Sequence, residues 1–102
     1  MNEEFLKRLP AIIAACPMKR ARSTGEMTID SAAIRRAALD TGYTHRISRY
    51  DLAQAMTSIG AASHTKTSGG RRYRFPDAMS KAAALDSATA KVQRTLANHK
   101  EN

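Results

Sequence analysis

The residues best placed to do chemistry in this 102-residue chain are basic ones gathered in residues 44–75: Arg46, Arg49, Lys66, Arg71, Arg72 and Arg74, against the single acid Asp51. That third of the sequence holds most of a net charge of +8. A cationic surface so concentrated points to a polyanionic partner: nucleic acid, an anionic membrane surface or an acidic protein face.

Other chemistry finds less support. His45, His64 and His99 lack metal-ligand spacing, no pair of carboxylates stands out, and Ser68-Gly69-Gly70 followed by arginines is not a phosphate-binding Gly-Lys-Ser/Thr loop. A tyrosine nucleophile among His45, Arg46 and Arg49 would lack a second half to hold its substrate. No enzyme, metal or cofactor is therefore expected. The lone cysteine, Cys16, excludes an intrachain disulfide and a cysteine-based zinc cluster, so a reducing, cytoplasmic setting is expected. Ile13-Ala14-Ala15-Cys16 loosely matches a lipoprotein cleavage box, but Glu3 and Glu4 spoil a basic start, Pro10 interrupts a short apolar core and Pro17 follows the cysteine, so a plain amphipathic helix is expected instead. No segment approaches the ~20 apolar residues that span a bilayer.

The elements that must position the basic residues are strongly marked. Ser48 is a helix N-cap with Asp51 three residues on, flanked by the apolar pair Ile47 and Leu52. Leu52, Met56 and Ile59 then make one apolar face, Tyr50, Gln54, Thr57 and Ser58 lie opposite, and Gly60 ends the helix. A β-hairpin follows: residues 63–68, a turn at Gly69-Gly70, then Arg71 to Phe75, closed by Pro76. Period 2 places Arg72 and Arg74 on an exposed face and turns Tyr73 and Phe75 inward with Arg71 on their side.

Around this centre, residues 2–16 read as a helix with Phe5, Leu9, Ile12 and Cys16 facing a core, Leu6 and Ile13 beside them, and a kink or a late start at Pro10. Residues 17–26 read as a loop whose Lys19, Arg20 and Arg22 could touch phosphates, and Met27-Thr28-Ile29 as a very short strand. Asp30 or Ser31 caps a second helix with Ile34, Ala37, Ala38 and Thr41 inward and Arg35 and Arg36 outward, stopped by Gly42. Pro76-Asp77 opens a long helix to about Ala97, with Ala78, Ala82, Leu85, Thr89, Val92 and Leu96 as its seam. That seam packs on the domain or forms a homodimer through residues 77–97. With 5% aromatics and abundant alanine, one mainly helical domain is expected.

The order helix, short strand, helix, helix, two-stranded wing, helix resembles the winged helix-turn-helix family of DNA-binding domains, over about residues 27–75. The resemblance implies that residues 48–59 lie in the major groove of double-stranded DNA. Arg46, Arg49, Tyr50, Gln54, Thr57 and Ser58 would face it, Gln54 pairing with adenine and an arginine with guanine. It further implies that Lys66, Arg71, Arg72 and Arg74 on the wing grip phosphate or enter the minor groove. The function expected is that of a small transcriptional regulator or accessory factor of a phage or mobile element. The rival is a small interaction protein that inhibits a host complex, such as a CRISPR effector, by covering an acidic protein surface.

Overall fold

The computed structural model describes residues 2–67 and 70–101. In order it contains α1 (Glu3–Ala15), β1 (Lys19–Arg20), β2 (Met27–Asp30), α2 (Ser31–Asp40), α3 (Arg49–Ser58), β3 (Ala62–Thr67), β4 (Gly70–Arg74) and α4 (Lys81–Glu101). Helices and a small antiparallel sheet share one apolar core running from Phe5 to Val92. None of the described helices is long and apolar enough to cross a membrane.

Helix α1 starts where Asn2 accepts a hydrogen bond from the Phe5 amide at 3.1 Å. It continues through Pro10 rather than starting there. A proline inside a helix costs about 3 kcal/mol, yet Phe5, Leu6, Leu9, Ile12 and Ile13 are all fully buried on this element, each contributing roughly 1.5–3 kcal/mol. Burial outweighs the local penalty. The helix stops at Cys16, which is extended (φ −81°, ψ 140°) because Pro17 follows it.

The stretch expected to be a loop holds a strand. Lys19 and Arg20 pair with Thr28 and Met27, and the Thr28 hydroxyl donates to the Lys19 carbonyl at 2.9 Å. Two exposed basic residues carry no alternation, so nothing in their pattern marks them as β. The sheet runs β1-β2-β4-β3, antiparallel throughout. Strand β2 thus reaches across two helices in sequence to pair with the second strand of the hairpin, Thr28 opposite Arg74 and Asp30 opposite Arg72. Hairpin pairing of β3 and β4 includes a register shift between Ser63 and Thr65. Gly69, expected in the turn, lies outside the described residues.

Helices α2 and α3 end as their glycines require. Gly42 (φ 93°) and Gly60 (φ 81°) take the left-handed conformation, and the next amides, Tyr43 and Ala61, reach back to Ala38 and Met56. Ser48 caps α3, accepting from the Asp51 amide at 3.0 Å. At α2 the cap position falls to Asp30, whose side chain makes no capping bond.

Helix α4 departs from expectation. Asp77 adopts φ 64° and its amide donates to Glu26 Oε2 at 2.5 Å, so the chain turns at Pro76-Asp77 before the helix begins. The cap is Ser80, whose hydroxyl accepts from the Ala83 amide at 3.1 Å. The later start moves the buried seam to Ala84, Ala88 and Val92, with Leu85 and Leu96 partly buried and Ala82 exposed. These small residues let α4 lie close to α1, and Lys81 fastens the pair by donating to the Cys16 carbonyl at 2.7 Å. Self-packing thus occupies the Ala84, Ala88 and Val92 face.

Two measurements check this framework. Ala88→Leu should cost about 1–3 kcal/mol by overpacking while Ala82→Leu stays within roughly 0.5 kcal/mol, read from urea unfolding. Equal losses would contradict the observed seam. Glu26 is buried, accepting from the Asp77 amide and then from Arg74, which hold its carboxyl below the ordinary glutamate value of 4.5. A depressed folded value means its stabilisation is complete above 4.5 and disappears as pH falls through the folded value. Melting temperature should therefore decline on acidification, and Glu26→Gln should flatten that decline.

Candidate nucleic-acid interface

Helices α2 and α3 are joined by a turn that Arg35 braces, its guanidinium donating to the Ile47 carbonyl. Tyr43 anchors the same turn from below, buried against Phe5 with ring centroids 5.7 Å apart. So braced, α3 buries Leu52, Ala55 and Met56, with Ile59 buried at its C-cap, and presents its other side outward. Arg46, Arg49, Tyr50 and Thr57 are exposed, Tyr50 to 70%.

Two further polar residues of that helix, Gln54 and Ser58, are committed. Gln54 Nε2 donates to the Tyr50 hydroxyl at 2.9 Å, while its Oε1 is buried with no hydrogen-bond partner among the described residues. The amide that would pair with adenine is thus turned to holding Tyr50. The Ser58 hydroxyl donates to the Ala55 carbonyl at 2.7 Å, inside its own helix.

On the hairpin the three arginines have different fates. Arg72 meets Asp30 at 2.9 Å and Arg74 meets Glu26 at 2.6 Å, both arginine side chains less than one-third exposed. The exposed arginine pair expected from strand alternation is instead half-buried and charge-matched. The reason is the β2–β4 pairing, which sets Asp30 directly opposite Arg72 and carries Glu26, one residue before β2, to Arg74. Tyr73 and Phe75 do pack inward. Arg71 is exposed and no acid pairs with it in the described structure: its amide donates to Ser31 Oγ at 3.0 Å and its guanidinium to Ser63 Oγ at 2.5 Å. The side chain of Lys66 lies outside the described residues.

Arg71 faces α3 across an open cleft of about 750 Å³. Its walls are the start of α2, the outer side of α3 and the hairpin, and they carry Arg35, Arg49 and Arg71 with no carboxylate among them. Tyr50 stands at the cleft, and Leu52, Ala53 and Tyr73 give it an apolar floor. Burial raises the Tyr73 phenol above its ordinary value, against the opposing pull of Arg71 and Arg35, so it stays a neutral hydroxyl at neutral pH. Ser31 and Ala32 bring the first turn of α2, where backbone amides and the helix dipole favour anions, to the same space.

The structure thus gathers Arg49, Tyr50, Thr57 and Arg71 around one cleft and leaves Arg46 exposed just before it. It holds Gln54 and Ser58 in helix-internal bonds and Arg72 and Arg74 in ion pairs. Arg35 joins the cleft although it reads from sequence only as an outward residue. Its position one step from buried Ile34 puts it at the boundary of that helix face, where a neighbouring element decides its role. Among the described residues no three His, Cys, Asp or Glu side chains are grouped as a metal site. Comparison of the chain with protein-family models, with curated proteins and with solved structures finds no match in any of the three.

Proposed function

We propose that this protein is a non-enzymatic, double-stranded-DNA-binding winged helix-turn-helix. It would act as a small transcriptional regulator or accessory factor of the size that phages and mobile elements encode. The observation carrying the reading is the free positive charge at the entrance to α3, on α3 and on the adjacent hairpin: Arg46, Arg49 and Arg71 are exposed and meet no carboxylate within ion-pair distance in the described structure, beside the exposed Tyr50 and Thr57. The element order and the β2-β4-β3 arrangement support it, because they set a capped helix next to a two-stranded projection.

On this reading α3 lies in the major groove, with Arg46 and Arg49 at its entrance and Thr57 further along. Arg71 holds a phosphate of the flanking backbone. Arg72 and Arg74 serve the sheet, since each already has a carboxylate partner. Base reading would then fall to Arg49 and Thr57 more than to Gln54.

The test is a titration of labelled mixed-sequence duplex DNA at two salt concentrations, read by fluorescence anisotropy. Binding should weaken steeply with salt, and Arg49→Ala with Arg71→Ala should lower the slope of log affinity against log salt by about two units. Arg94→Ala, on α4 away from the cleft, should leave it unchanged. Absence of binding at low salt would overturn the DNA reading in favour of an acidic protein partner.

A further inference from the structure

The cleft between α3 and the hairpin is larger and more apolar than a phosphate grip requires. A surface that only holds backbone phosphates needs protruding cations, as Arg46 provides, whereas this one is concave and about 750 Å³ in volume. Clefts of roughly 300–1,000 Å³ enclose small organic ligands. Its walls divide by chemistry. Arg35, Arg49 and Arg71 converge from three different elements, with the first turn of α2 between them, and no acid among the lining residues offsets their charge. The same cleft is lined by Tyr50 and by the apolar Leu52, Ala53 and Tyr73.

Tyr50 is the residue that needs explaining. A tyrosine ring 70% exposed on a helix is unusual, and Gln54 donates to its hydroxyl at 2.9 Å. The same amide leaves its Oε1 buried without a partner among the described residues, an arrangement that costs stability. Holding an exposed aromatic face beside three arginines makes a platform for a flat ring whose substituent is anionic.

From this geometry we infer that the cleft binds a nucleoside phosphate, the base stacked on Tyr50 and the phosphate held by Arg49, Arg71 and Arg35. Arginine forks suit phosphate oxygens because they offer paired, parallel donors. A phosphate ion alone would leave the apolar floor uncovered, and a nucleoside alone would leave the arginines unmatched. The same chemistry is presented by a free nucleotide and by an unpaired nucleotide of a strand. Because the cleft is walled by the elements assigned to duplex DNA above, a bound nucleotide and a duplex exclude one another. Only this exclusion rests on the DNA reading.

The experiment is calorimetric titration of the full-length protein with AMP, adenosine and inorganic phosphate in turn, alongside amide chemical shifts in two-dimensional NMR. AMP should bind one to one and shift the amides of Ser31, Ala32, Ala53, Thr57 and Arg71. Adenosine should bind about tenfold or more weakly for want of charge-assisted bonds. Tyr50→Ala should weaken AMP about tenfold through lost stacking. Arg49→Ala and Arg71→Ala alter exposed side chains, so their melting curves should stay near that of the parent while AMP affinity falls. An adenine trinucleotide that binds more tightly than AMP assigns the site to a strand, and the reverse assigns it to a free nucleotide. Failure of AMP and trinucleotide to saturate at millimolar concentration, or shifts confined to other surfaces, would overturn the inference. Duplex binding without AMP binding removes the cleft ligand and leaves the DNA reading intact. AMP binding without duplex binding does the opposite, and AMP that binds without displacing duplex removes the exclusion.

Discussion

Pairing between β2 and β4 is the contact on which the rest of the molecule depends. Strand β2 has only four residues, yet its Met27 backbone accepts from the Phe75 amide and donates to the Ala78 carbonyl, both beyond the strand pairs themselves. Ile29 is buried in the core, while Asp30 and Glu26 reach the two hairpin arginines. Removing this strand would strip β4 of one of its two partner strands and undo the turn into α4. Leaving Glu26 without Arg74 would be costly, since a carboxylate on a side chain only 9% exposed needs its donors.

The consequence for the candidate site is geometric. With β4 fixed, its first residues lie against the start of α2, where the Arg71 amide meets Ser31 Oγ. A Cβ on Gly70 would run into that same hydroxyl, so glycine permits the approach. Helix α3 is held to the same α2 by the Arg35 brace, and Ser48 caps its start. The cleft is therefore the space between two parts anchored to one helix, which suits precise placement of side chains.

Much of this was legible in the residues, and the exceptions have physical causes. The cap at Ser48, the apolar face of α3, the inward Tyr73 and Phe75 and the core face of α1 follow from local periodicity and hydrogen-bonding chemistry. Most of the errors are non-local. Strand β1 exists because β2 offers it an edge; the α4 seam shifted because Glu26 captured the Asp77 amide. Arg72 and Arg74 look like exposed cations until β2 and the residue before it, more than forty positions earlier in sequence, supply their carboxylates. Gln54 looked like a base reader because nothing local reveals that a side-chain amide will prefer a tyrosine one turn away.

The two ion pairs have a further effect at long range. They cancel charge beside the hairpin while Arg35, Arg49 and Arg71 stand on the cleft side with no carboxylate among the lining residues, so the local field of this +8 chain is positive at the cleft. A polyanion diffusing nearby exerts a torque on such a molecule and turns the cleft toward itself before contact. For the duplex partner proposed above, encounters would then begin in the productive orientation more often than chance allows, and the rate of association, rather than the strength of the final complex, would gain most.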